Sequence, residues 1–595
     1  MKKSLLILVL LMVFVTKSFS QTEALAQQYY TNGDYKKAVV YLEKCYQSNP
    51  QRTDYLMSLI DCYQQLQQFD KAELTLKPLL QNKFLSVFSV LMLGHNEELQ
   101  GENDRAFVFY QKALDKIDEN PAYCFTVARL LENYGKLSLA IEAYKKGMQL
   151  NPKFNFNYNI AKLYGEQGNV AKMFSAYLDL LAENETYLSR IKHEIGTFVN
   201  DETSGETNAN LLRKELLVRL QKSPNILWNE MLSWLFIQQQ KFESAFIQEK
   251  AIYKRLETAS LEPLLDLAFI TYKAKNYTTA TKIYNYIANQ TNNTTLVLEA
   301  NLKIVEMEQW SGEVTLDKIQ KEYEKLLEQF GVSNHTVNLQ MDDAKFLAFQ
   351  MNKPSEAEAM LKKTLGLDLE LYDEANVKMA LADILVFEEK FNSALIYYSQ
   401  VQKMVKNDVL AQQARFKVAQ TSFYKGDFNW AVTQLDVLKS STSQLIANDA
   451  LQLKLLISDN SLEDSTQTAL KIYAKADLMA YQHKNAAAIS LLEEILTKHK
   501  GESIEDEALL KQAQLYENDG EFEKAKLNYI KIITFFGNDI LADDALFHLA
   551  KLYENKLSDK QKAMKYYEKI IFNHEDSIYF VAARKAYRRL RGDAI

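Results

Sequence analysis

Residues 25–50 read LAQQYYTNGDYKKAVVYLEKCYQSNP, and this stretch decides the fold. Apolar residues recur at helical spacing on both sides of Asn32-Gly33-Asp34, which predicts two amphipathic helices joined by a tight turn. Pro50 stops the second, since its ring and missing N–H cannot continue a helix. The pattern then returns. Ala38, Ala72, Ala106 and Ala140 stand 34 residues apart, and so do Leu42, Leu76, Tyr110 and Tyr144. Tyr29 and Tyr63 keep the same step. Gly33, Gly101, Gly135 and Gly168 fall at or near the turn, where a left-handed residue can end the first helix. Pro121 and Pro152 repeat the stop made by Pro50.

A 34-residue helix–turn–helix unit with small residues, tyrosines and a closing proline at these offsets resembles the tetratricopeptide repeat (TPR). The resemblance implies an all-α, right-handed superhelix of stacked helix pairs, an α-solenoid. The small residue is needed where the two helices of one repeat cross, because a larger side chain there would overpack the crossing. The register runs on through Met173, Ala245, Ala280, Ile319, Ala357, Ala394, Ala431, Ala488, Ala525 and Ala563. From Ala357 the usual step is 37, and Ala513 to Ala550 and Tyr516 to Tyr553 repeat it. Two gaps interrupt it. Met173 to Ala245 spans 72 residues, room for a degenerate repeat near 187–221 that holds the loop-like stretch Asn200 to Glu206. Ala431 to Ala488 spans 57, one unit plus about one extra helix. The sequence therefore predicts about 13–15 repeats in one superhelix. Its expected divisions are a signal peptide over 1–20, five 34-residue repeats over 21–184, irregular TPR-like repeats over 185–373, and 37-residue repeats with a basic capping helix over 374–595.

Composition agrees with a solenoid. Only 7 prolines and 17 glycines occur in 595 residues, so no linker divides the chain into separate domains. The first residues read as an export signal: Lys2 and Lys3, an apolar run from Leu5 to Val15, then small residues at Ser18 and Ser20 before Gln21. That run is too short for a confident membrane span, and no later stretch is long and apolar enough for one. No cysteine follows the cleavage point, so no lipid anchor is expected. The start resembles that of exported proteins of Gram-negative bacteria, which implies the periplasm, with a peripheral place at the outer membrane left open. A net charge of −7 gives no overall basic footprint for nucleic acid. Cys45, Cys62 and Cys124 are too few for a disulfide framework. Buried thiols are the expectation, with a Cys45–Cys62 bridge as the alternative in an oxidising compartment.

Chemistry is mostly missing. The histidines at 95, 193, 335, 483, 499, 548 and 574 show no metal-ligand spacing, and no nucleophile elbow, phosphate-cradling loop or dinucleotide fingerprint occurs. No catalytic residue, metal or cofactor is expected, and the reading is a non-enzyme. Most aromatic residues occupy core positions of the repeat. Trp228 and Trp234 are expected to pack against Phe242 and Phe246, with an exposed aromatic anchor as the alternative. Arg584, Lys585, Arg588, Arg589 and Arg591 make the last helix a basic cap that complements the helix C-terminus, with contact to an anionic surface as the alternative.

TPR superhelices generally take ligands on the concave face, lined by the first helix of each repeat. By register that face carries Tyr30, Asp61, Gln64, His95, Glu98, Arg129, Glu132, Tyr158 and Lys162. Some TPR co-chaperones clamp a partner's C-terminal carboxylate with lysines and asparagines at fixed groove positions. Here those positions read Glu23, Gln27, Met57 and Asp61, so that clamp is absent. The C-terminal units resemble repeats of BamD- and CpoB-type envelope proteins. The resemblance implies a periplasmic interaction scaffold or adaptor that binds other envelope proteins, within outer-membrane protein assembly or protein secretion. The alternative is a glycan- or peptidoglycan-binding protein.

Overall fold

The computed structural model describes residues 22–82, 85–201, 203–256, 260–438, 443–461 and 466–593. The export signal expected over 1–20 lies outside the described residues. The described residues are helical almost throughout and contain no strand. They divide into two compact units, one ending at residue 256 and one beginning at residue 260.

In unit 1, α1 (22–31) pairs with α2 (Tyr35–Ser48), and α3 (Thr53–Gln65) with α4 (Phe69–Leu76). Next come α5 (Ser86–Leu99) with α6 (Asn103–Glu119), and α7 (Tyr123–Asn133) with α8 (Leu137–Leu150). The last pairs are α9 (Asn157–Glu166) with α10 (Val170–Glu183), α11 (Leu188–Val199) with α12 (Gly205–Lys222), and α13 (Ile226–Gln238) with α14 (Phe242–Arg255).

Unit 2 opens with α15 (Glu262–Lys273) and α16 (Tyr277–Gln290), then α17 (Thr294–Ser311) and α18 (Leu316–Phe330). It continues through α19 (Val337–Phe349) and α20 (Pro354–Thr364), α21 (Leu371–Phe387) and α22 (Phe391–Met404), and α23 (Val409–Lys425) and α24 (Phe428–Val437). A single helix, α25 (Gln444–Asp459), follows. Pairing resumes with α26 (Thr468–Tyr481) and α27 (Asn485–Lys498), α28 (Glu505–Asn518) and α29 (Phe522–Phe535), and α30 (Ala542–Asn555) and α31 (Lys560–Asn573), before α32 (Phe580–Arg591) closes the unit.

The register explains the packing. Ala38, Ala72 and Ala140 are 0% exposed and Ala106 is 2% exposed, as a close helix crossing requires. The bulkier Met173 and Ile319 at the same register are equally buried. Both interruptions are helical. The degenerate repeat near 187–221 is the pair α11–α12, and the extra helix expected after Ala431 is α25. Between α11 and α12, Asp201 accepts hydrogen bonds from Thr203 and Ser204, which ties the turn and lets α12 begin at Gly205.

Turns between paired helices place one residue in the left-handed region. Gly33, Gly101, Gly135 and Gly168 fill that place, but Gln67, Gln240, Glu389 and His483 do so as well. The prolines expected to stop second helices do follow the ends of α2, α6 and α8. Gly147 on α8 meets Cys124 of α7 so closely that an added methyl would overlap the thiol.

Several second-helix tyrosines are more than filler. Tyr110 donates to Glu98, Tyr398 to Asp383 and Tyr567 to Glu554, at 2.8, 2.6 and 2.8 Å. Each bond ties the second helix of a pair to the end of the first. Cys45, Cys62 and Cys124 are free and buried, with no Cys45–Cys62 bridge. Burial pushes the Cys62 thiol up to about 12, which keeps it inert at neutral pH. Trp228, Phe242 and Phe246 are each 4% exposed, as expected for core residues.

Candidate functional site

The first helices of four consecutive repeats, α1, α3, α5 and α7, surround a cavity of about 670 Å³ in unit 1. Two rows of side chains reach it because the repeat is 34 residues long. Asp61, His95 and Arg129 form one row, and Tyr30 and Gln64 begin the other. Met57, Phe88, Met92 and Phe125 give the cavity an apolar floor, and Phe125 is 46% exposed.

Its polar groups are held in different ways. Tyr30 donates to Asp61 at 2.8 Å and so orients that carboxylate. The His95 ring stacks on Tyr134, with centroids 4.0 Å apart and planes 9° apart. Burial lowers the His95 pKa below its ordinary value, although Glu98 opposes the shift from 3.8 Å away. His95 Nδ1 and Gln64 Nε2 are buried without a hydrogen-bond partner. Leaving such an atom unpaired costs about 1–3 kcal/mol, so a ligand that pairs it gains that amount back. Exposed Arg129 adds a positive charge opposite Asp61 and Asp54.

Five of the nine groove residues read from register therefore meet at one cavity: Tyr30, Asp61, Gln64, His95 and Arg129. The others do not line it. Glu98 belongs to the same row as Gln64, but its carboxylate is taken by Tyr110 and by Lys136. Glu132 is one further step along and lies outside the lining. Tyr158 donates to Glu194 at 2.8 Å and stacks under Arg190, while Lys162 sits 3.7 Å from Glu166. Both are engaged within the fifth and sixth repeats. Register found the row but not the local ion pairs that withdraw side chains from it. It also missed Phe88, Phe125 and Tyr134, whose aromatic character reads as core in a repeat sequence.

Among the described residues no three His, Cys, Asp or Glu side chains gather as a metal site, and no helix is long and apolar enough to cross a membrane. The arrangement offers hydrogen-bonding, stacking and charge contacts to a bound segment.

Comparison with known proteins bears on the fold. Residues 29–84 and residues 543–571 each match a tetratricopeptide-repeat family model. The chain carries TPR units at both ends. Comparison with curated proteins gives no match. Among solved structures, the chain is similar to the APC/C heterotetramer Cut9–Hcn1 at 13% identity and TM-score 0.24, covering 96% of each chain. It is similar to Naa15/Naa10 bound to HypK-THB at 12% identity and TM-score 0.31, covering 97% of each. Yeast Tom70 is similar at 15% identity and TM-score 0.25, over 85% of this chain and 96% of that one. At such scores the likeness carries no weight for partners or mechanism.

The all-α repeat architecture and the TPR units make the chain a protein-interaction scaffold in its general character.

Proposed function

We propose that the protein is a non-catalytic periplasmic scaffold or adaptor, a subunit of a cell-envelope machine for outer-membrane protein assembly or protein secretion. One observation carries the interaction part of this reading: side chains from four successive first helices converge on a single cavity in unit 1. Its mixture of rings, amides and both charges suits a peptide segment or a folded partner. The periplasmic part rests on the signal-like residues 1–20 and on the resemblance of the C-terminal units to envelope proteins. Multivalent docking along the repeats, without turnover, is the mechanism.

Affinity purification of the tagged protein from gently solubilised envelopes, read by mass spectrometry, tests it. Stoichiometric recovery of an outer-membrane barrel or a secretion subunit is the expected result. Recovery with cytoplasmic proteins alone would refute the location.

A second reading, a glycan or peptidoglycan binder, is favoured by one surface feature. Trp310 is 57% exposed and stacks on Tyr272, centroids 5.7 Å apart. Sedimentation with purified peptidoglycan tests that reading: co-pelleting lost in Trp310→Ala supports it, and no co-pelleting removes it.

A further inference from the structure

The single helix α25 has a consequence in unit 2. Together with α28, the turn after α29 and the start of α30, it walls a cavity of about 780 Å³. No helix of an ordinary repeat occupies the place of α25, so the cavity belongs to this interruption of the register. Leu453, Leu456 and Leu510 supply apolar surface, and Ile540 at its edge is 69% exposed. Six carboxylates among the described residues line it: Asp459, Glu502, Asp506, Glu507, Asp539 and Asp544. Among the described residues the one cation in the lining is Lys511, 2.5 Å from Asp477 of α26.

Two buried oxygen atoms here are left unpaired. Glu507 Oε2 has no hydrogen-bond partner, and its other oxygen accepts from Asn460 Nδ2 at 3.2 Å. Asn460 is 7% exposed, and its own Oδ1 is also buried and unpartnered. Asn460 Oδ1 is an acceptor, and the Glu507 carboxyl becomes acceptor-only once ionised, so the group that would satisfy both is a donor. A cationic donor satisfies them best, because it also answers the surrounding carboxylates.

We propose that this cavity docks a basic amphipathic segment of a partner protein, its apolar side chains on the leucines and a lysine or arginine among the carboxylates. The site is separate from the unit 1 cavity and does not depend on the function proposed for it. Burial and the neighbouring Asp506 raise the Glu507 carboxyl to about 9, so at neutral pH it is protonated in the free protein. An arriving cation favours the ionised form and expels that proton. The groups facing Glu507 are Asp506 and Lys511 on its own helix, Glu502 in the turn before it, Asp459 of α25 and Asn460 just after it, Tyr473 of α26, and Asp539 and Asp544 beyond α29. Affinity should therefore rise as pH climbs from neutrality toward about 9.

The probe is a short fluorescein-labelled amphipathic helix of leucine and lysine, with a copy carrying glutamate for each lysine. Fluorescence anisotropy with the full chain should show binding of the lysine peptide and none of the glutamate peptide. Asp459 and Asp539 are exposed, so Asp459→Lys with Asp539→Lys should leave the fold intact and weaken binding at least about tenfold. Glu575→Lys, an exposed charge reversal outside the cavity, should leave binding unchanged. Glu507→Gln should weaken the peptide and flatten its pH dependence while raising the melting temperature, since it removes a buried acid. Absence of lysine-peptide binding would overturn the proposal. Equal loss in Glu575→Lys would do so too, because it would mean attraction to the net negative charge alone.

Discussion

The two cavities differ in how they are made. In unit 1, α1, α3, α5 and α7 succeed one another at a constant 34-residue step, and the cavity is a row of equivalent positions repeated. In unit 2, the cavity exists because α25 falls outside the pairing, between Ala431 and Ala488. A kept register makes a surface that can be read one residue at a time. A broken register makes a pocket whose walls come from unrelated positions.

The largest effect that could break this comparison comes from the crossing point. Ala106 is 2% exposed where α6 crosses α5, so Ala106→Trp should cost more than about 3 kcal/mol. A lost or lowered first transition in a denaturant melt is expected, and an unchanged melt would mean the register is misassigned. Next is the status of α25. Ile457, 2% exposed, belongs to the same core as Ala431, Leu470 and Ala488. If α25 is built into unit 2, Ile457→Ala should destabilise it by about 2–4 kcal/mol. A loss under about 0.5 kcal/mol would make α25 a loose insertion and remove the wall of the acidic cavity.

Much of this was legible in advance, for a physical reason. A close crossing that favours a small side chain leaves a mark at most repeats, which is why the run from Ala38 to Ala563 is legible in the sequence. The two interruptions were legible as lengths, 72 and 57 residues, because a helix pair needs a fixed amount of chain. Side-chain fate was less legible. Glu98 and Asp61 look alike in sequence, yet Tyr110 and Lys136 withdraw one while Tyr30 holds the other at the cavity. Asp506 and Glu507 read as ordinary first-turn acids of a helix. Only the packing of α25 over them makes them the base of a pocket.

Smaller effects sharpen the comparison at the turns. Gly135 has φ 71° and Gln67 has φ 55° at equivalent places two repeats apart. Gly135→Ala should destabilise unit 1 by about 1 kcal/mol, and Gln67→Gly should stabilise it by a few tenths, since only glycine enters that region without strain. Equal effects of one sign would show that the two turns differ. The smallest effect is a pH dependence. Burial holds the His95 pKa below its unfolded value, so its contribution to stability is present above about 6.5 and is lost as pH falls through the folded value. His95→Gln should remove that slope from the acid limb of a melting-temperature profile, and a wild-type slope in the variant would place the titrating group elsewhere.

The most direct test of the account is partner capture by the unit 1 row itself. Asp61→Lys combined with Arg129→Glu reverses two of the charges at the cavity while leaving the buried crossing residues alone. Envelope pull-downs with wild type and this variant, matched for melting temperature, should show the stoichiometric partner with the first and not with the second. Full recovery by the charge-reversed protein would contradict the claim that this row is the binding face.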